Sequence, residues 1–171
     1  MNYQQAKNWY QIEVDEVKFG AQNMQDTSGE GTAAFLKFIK ENIEFNYIVL
    51  HYLHGAIIGN LGNIALPVIM SFEETIENIK PVPQFEFGNF YLFKDKDNAE
   101  KFRQKIENMG PTPGFGQKTI SDPDTSTSVA IFDNTSFIVY TKNAELAQKI
   151  KEEYPKAKIE NKSLDELEFY Y

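Results

Sequence analysis

Apolar residues recur along this chain with two different periods. In four stretches they return every three or four positions, the spacing of one helix face. Phe35, Ile39 and Ile43 do so in TAAFLKFIKENI, and Phe72, Ile76 and Ile79 in SFEETIENIK. Ala99, Phe102, Ile106 and Met109 repeat in DNAEKFRQKIENMG, and Leu146, Ala147, Ile150 and Tyr154 in NAELAQKIKEEYP. Each stretch opens with a side chain able to accept the first unpaired N–H groups: Thr32, Ser71, Asp97 and Asn143. Ser71 with Glu74, and Asp97 with Glu100, have the spacing of a capping box. Gly110 and Pro155 follow as stops. The pattern predicts helices over residues 32–43, 72–80, 97–109 and 143–154.

Between them lie short runs rich in β-branched and aromatic residues, which read as strands. YQIEVDEVKF changes its apolar phase at Asp15 and Glu16, the mark of a bulge. NYIVLHYL, NIALPVIMS, VPQFEF, NFYLF and KAKIEN are further strands, and VAIFD with FIVYT makes a hairpin. Pro67 suits only an edge or a bulge, because it brings no ladder donor. The expected class is α+β with mostly antiparallel sheet. Strand, helix, strand, strand, helix, strand from residue 88 onward resembles the ferredoxin-like split motif. The first half reads the same way, which suggests two tandem βαββαβ units, 1–87 and 88–171, able to pack as one domain. The competing arrangement is a single antiparallel sheet with helices on one face.

Composition sharpens this. With 14 Phe and 9 Tyr among 171 residues, the core is expected to be aromatic. The net charge of −8 and the lone arginine, Arg103, argue against nucleic-acid binding, which needs clustered cations to neutralise phosphates. Cysteine is absent, which removes thiolate chemistry and disulfides and fits a cytoplasmic setting. The greasiest stretch, 47–70, is broken by histidine, glycine, asparagine and proline, so no membrane span is expected.

Candidate chemistry is sparse. The two histidines, His51 and His54, stand three apart in a stretch read as strand, where they would face opposite sides. No jointly held metal is expected from them, and no cofactor. The loop GPTPGFGQKTISDPDTSTS, in which glycines and Lys118 precede Asp122 and Asp124, has neither the order of a phosphate loop nor the full ligand set of a calcium loop. Its small apolar content suggests a mobile or contact segment. No nucleophile elbow is present, which points away from an enzyme.

Two functional expectations remain. In the first, a small acidic protein of inhibitor or immunity type binds and neutralises a more basic protein, such as a toxin or nuclease. Contacts would come from Asp15, Glu16, Asp122, Asp124, Asp165, Glu166 and Glu168, with Phe115, Tyr170 or Tyr171 as buried anchor. In the second, the fold is an enzyme or small-ligand binder with an aromatic-lined pocket that uses His51 and His54.

Overall fold

In a computed structural model of the protein, residues 6–19, 22–24, 26–56, 59–110, 114–122 and 125–169 are described. The strands are β1 (Trp9–Val14), β2 (Val17–Phe19), β3 (Gln22–Met24), β4 (Tyr47–Ala56), β5 (Val68–Ser71), β6 (Gln84–Phe93), β7 (Thr127–Phe132), β8 (Ser136–Thr141) and β9 (Lys158–Lys162). The helices are α1 (Gly29–Asn42), α2 (Phe72–Ile79), α3 (Lys96–Met109), α4 (Phe115–Ile120) and α5 (Ala144–Glu153). The four expected helices are all present, and the class is α+β.

The main sheet has seven strands in the order β5-β4-β6-β7-β8-β1-β9, while β2 and β3 form a separate hairpin. Every pairing in it is antiparallel. A ferredoxin-like unit interleaves its strands around crossover helices. Here β6, β7 and β8 are consecutive neighbours, so the single-sheet reading describes the architecture and the tandem ferredoxin-like one does not. The expected division at residues 87 and 88 lies within β6. From the N-terminal part, β1 enters between β8 and β9 and pairs with both.

Helices cover both faces, not one. On the first face, Ile12, Ile48, Leu50, Phe90, Phe137 and Val139 pack beneath residues of α1, α2 and α5. On the second, Val49, Tyr91 and Phe93 meet Ala99, Phe102 and Ile106 of α3 and Phe115 of α4. Further along that second face, Trp9, Ile138 and Tyr140 meet Ile120 of α4 and Leu167 near the C-terminus. All six residues of β8 are buried, as expected for a central strand covered on both sides.

Local chemistry sets the element boundaries. Ser28, not Thr32, caps α1, accepting from Gly31 N–H, so the helix begins three residues earlier than expected. Asp95, not Asp97, caps α3, accepting from Asn98 N–H at 2.9 Å. Ser71 and Glu74 form the expected capping box. Asp133 and Asn134 turn the β7–β8 hairpin with φ of 48° and 50°, a left-handed backbone that these short polar residues tolerate. Pro67 stands just before β5, an edge strand, where its missing donor breaks no central ladder. VPQFEF and NFYLF are parts of one strand, β6.

The loop expected to be mobile contains α4. Phe115, Gly116, Thr119 and Ile120 of that helix are buried, so this helix packs against the core. Gly114 supplies the left-handed turn before it, with φ of 72°.

A candidate contact site on the second sheet face

The site begins with the pairing of β1 and β9, whose residues lie nearly a chain length apart. Their register sets Gln11 opposite Glu160 and Glu13 opposite Lys158. On the other side of β1, Gln11 faces Tyr140 and Glu13 faces Ile138. Paired residues share a face, so a polar strip from β1 and β9 borders an apolar strip from β8. Between them lies a cleft of about 240 Å³ lined by Gln11, Glu13, Phe132, Ile138, Lys158, Glu160 and Glu168. Its floor is buried Ile138 and half-buried Phe132.

Lysines answer some of the carboxylates. Lys158 Nζ lies 3.5 Å from Glu13 and 4.0 Å from Asp15, and Lys156 bonds Glu16 at 2.8 Å. Lys162, mostly buried, bridges Glu160 at 2.9 Å and Glu168 at 3.5 Å. Glu166 pairs with Lys7 at 3.5 Å. It also accepts from Ser163 N–H, which is the main reason its carboxyl titrates below the usual range. Ser163 Oγ donates to Asp165 at 2.6 Å. Carboxylates outnumber lysines along this ribbon. Its chemistry is that of carboxyl groups beside an apolar floor, suited to recognising a cation with an apolar stem.

The fold does not gather the expected acidic clusters: of their residues only Glu168 lines the cleft. Asp15 and Glu16 follow β1 where β9 begins, whereas Asp165 and Glu166 follow β9 beside the start of β1, at the opposite end of this antiparallel pair. The third cluster is elsewhere: Asp122 pairs with Lys105 of α3 at 2.9 Å and its side chain is only 13% exposed. Phe115, expected as an anchor for a partner, is buried within the protein's own core. Asp124, Tyr170 and Tyr171 lie outside the described residues. Sequence reading missed Glu13, Glu160, Phe132 and Ile138. Each alternates correctly within its own strand, but no local signal announces that β1 and β9 pair.

The histidines also differ from expectation. His51 pairs with Asn89 and His54 with Phe87, with a register shift between them. Asn89 and Phe87 are two apart and share a face, so the extra residue returns His54 to the face that carries His51. Tyr52 provides the kink with φ of 56°, and Leu53 turns into the first-face core. The rule that three-apart residues on a strand diverge thus fails at this bulge. His51 is half-buried with its ring 5.9 Å from that of Phe115, whereas exposed His54 lies against Tyr52 at 4.8 Å. No group of three or more metal-ligating side chains occurs among the described residues.

Among the described residues, buried His51 Nδ1 has no hydrogen-bond partner, and burial lowers the imidazole's pKa. The unfolded chain therefore takes up a proton at His51 at a higher pH than the folded chain does. The full contribution of the neutral ring is present above the unfolded value and is lost as pH falls through the folded one. Wild-type stability is expected to fall between pH 7.5 and 5.5 by up to about 1.4 kcal/mol for each pH unit in the titrating window. Urea denaturation at several pH values checks this. In His51→Gln the slope over that window should flatten, while His54→Gln should keep it; equal slopes in all three proteins would remove His51 as the source.

Comparison of the chain with protein-family models, with curated proteins and with solved structures finds no match. Among the described residues, no helix is long and apolar enough to cross a membrane.

Proposed function

We propose that this protein acts in the cytoplasm by stoichiometric binding to a more basic protein, inhibiting or neutralising it. The observation that carries the reading is the meeting of Glu13 from β1, Glu160 from β9 and Glu168 from the segment after β9 around one apolar-floored cleft. Exposed ion pairs contribute about 0–1 kcal/mol each, so Lys158, whose side chain is 66% exposed, yields its place to a partner's cation at little cost. Half-buried Phe132 offers the apolar contact that charge alone does not supply. Charges on such a rim act mainly on encounter and orientation.

The test uses a partner isolated with the full-length chain and then purified. Association should slow as salt rises. Reversing Glu13, Asp15 and Glu160 to lysine together should slow it by about tenfold or more at low salt. Reversing Glu73 and Glu77 on α2 should leave the rate nearly unchanged. Equal effects from both sets would place the contact elsewhere, and indifference to salt and to both sets would remove the acidic reading altogether.

A second reading, small-ligand binding, draws on the bulge that turns His51 and His54 to one face. A ligand held there should shift the imidazole signals of both rings on titration, and the charge reversals at β1 and β9 should leave its affinity intact.

A further inference from the structure

We infer that the C-terminal segment from Ser163 to Phe169 is a hinged lid that opens from the second sheet face while the sheet stays folded. The segment contains a single turn of 3₁₀ helix, Leu164–Glu166, and its described residues join no strand. It is held across the face mainly by side chains. Leu167 is buried among Trp9, Ile120, Ile138 and Tyr140. Phe169 stacks on Tyr140 at 4.8 Å. Tyr140 Oη donates to Glu168 O, Gln117 Nε2 donates to Leu167 O at 3.2 Å, and Glu168 N–H donates to Gln11 Oε1 at 2.9 Å.

Two features make it separable. The segment has no strand ladder of its own and is anchored by side-chain packing and by side-chain bonds to its backbone, whereas β1 beneath it has ladders on both edges. A segment with little cooperative support opens locally, at lower cost than global unfolding. The lid is also undercut on both sides. The cleft at Gln11, Glu13 and Glu160 reaches Glu168, and a smaller notch at Asn89, Ala130 and Phe132 reaches Phe169. Both extend beneath it to Ile138. Release of Leu167 and Phe169 would join them into one apolar trough floored by Trp9, Ile138 and Tyr140. Control of access to the acidic cleft rests on the proposed function; the opening itself does not.

The chain has no cysteine, so an introduced thiol is a unique reporter. Ile138 and Val139 are neighbours on β8, 3% and 0% exposed, beneath opposite layers. In Ile138→Cys, a bulky disulfide reagent should react at least about a hundredfold faster than in Val139→Cys, at a rate indifferent to low urea. Adding Gln11→Ala, which removes bonds to Glu168, should speed labelling at position 138 by up to about tenfold and leave position 139 unchanged. In the unsubstituted protein, acrylamide should quench Trp9, the only tryptophan, with the same indifference to low urea, so the idea survives a folding failure in either variant. Equal labelling at both positions with one urea dependence, or Trp9 quenching that appears only with unfolding, would overturn the lid. Fast labelling without any effect of the acidic reversals on partner association would keep the lid and remove the function.

Discussion

Gly29→Ala is expected to destabilise the protein by roughly 3 kcal/mol or more, the range of severe overpacking. Helix propensity alone forecasts the opposite sign, since alanine is favoured over glycine within a helix by about 1 kcal/mol. The reason is the approach of α1 to the end of α2. A Cβ on Gly29 would stand 1.8 Å from the carbonyl oxygen of Ile79 and 2.7 Å from that of Lys80. These are backbone atoms, so no flexible side chain can move aside. Gly29 N–H also donates to Val82 O at 2.8 Å, which ties the start of α1 to the turn after α2. Relief of the clash must break that bond or shift the helices, which carry Phe35, Leu36, Ile76 and Ile79 into the first-face core. Urea denaturation compares the variant with wild type. Gly110→Ala, with open space around it but a backbone at φ 61° and ψ 173° that essentially only glycine adopts, should cost about 1–3 kcal/mol from backbone strain alone. A neutral or stabilising Gly29→Ala would mean that the two helices slide apart freely.

Gly29 also explains a limit of the sequence reading. GEG lowers helix propensity, so the pattern of apolar residues starts α1 at Thr32, beyond the glycines. The protein uses those glycines for close contact: a Cβ on Gly31 would meet Asp26 O at 2.3 Å. Tertiary crowding, invisible to a local window, selects glycine inside a helix. The same holds for Gly88, which divides VPQFEF from NFYLF on paper. In the fold it lies in the middle of β6, where a Cβ would come within 3.0 Å of Leu53 Cδ2. The helices with full apolar stripes and caps, α2, α3 and α5, were legible because their signals lie within one or two turns. Short α4 was not, because its stability comes from burying Phe115, Thr119 and Ile120 against the sheet. Nor was the bulge at Tyr52, since tyrosine carries no preference for the left-handed backbone it adopts. For the candidate site, Glu168 was singled out from the sequence, while Glu13 and Glu160, which meet it in the cleft, were not. Their meeting depends on β1 crossing to β8 and β9, a choice made by long-range packing.

That long-range packing leads to the second large effect. Phe35 of α1 is fully buried, and its ring stacks on Phe137 of β8 at 4.7 Å. It also contacts Tyr154 at the end of α5, with ring centroids 5.8 Å apart. One side chain from the first half of the chain is therefore enclosed by two from the second. Phe35→Ala removes the ring and leaves a cavity that the surrounding aromatic residues cannot fill without leaving their rotamers, at an expected cost of roughly 3–5 kcal/mol. The shape of the transition matters as much as its position. With β1 paired to β8 and β9 and the aromatic cluster bridging the halves, loss of the ring should lower the midpoint of the whole protein as one step. The dependence on urea should be unchanged, because the surface exposed on unfolding is the same. Far-ultraviolet circular dichroism and Trp9 fluorescence should then report coincident curves. If residues 88–171 instead behaved as an independent unit, the variant would unfold in two steps, the later one at the wild-type midpoint. That outcome would mean that β1 and α1 lean on the C-terminal strands without sharing their cooperativity, and the acidic cleft, built jointly from β1 and β9, would dissolve in the first step.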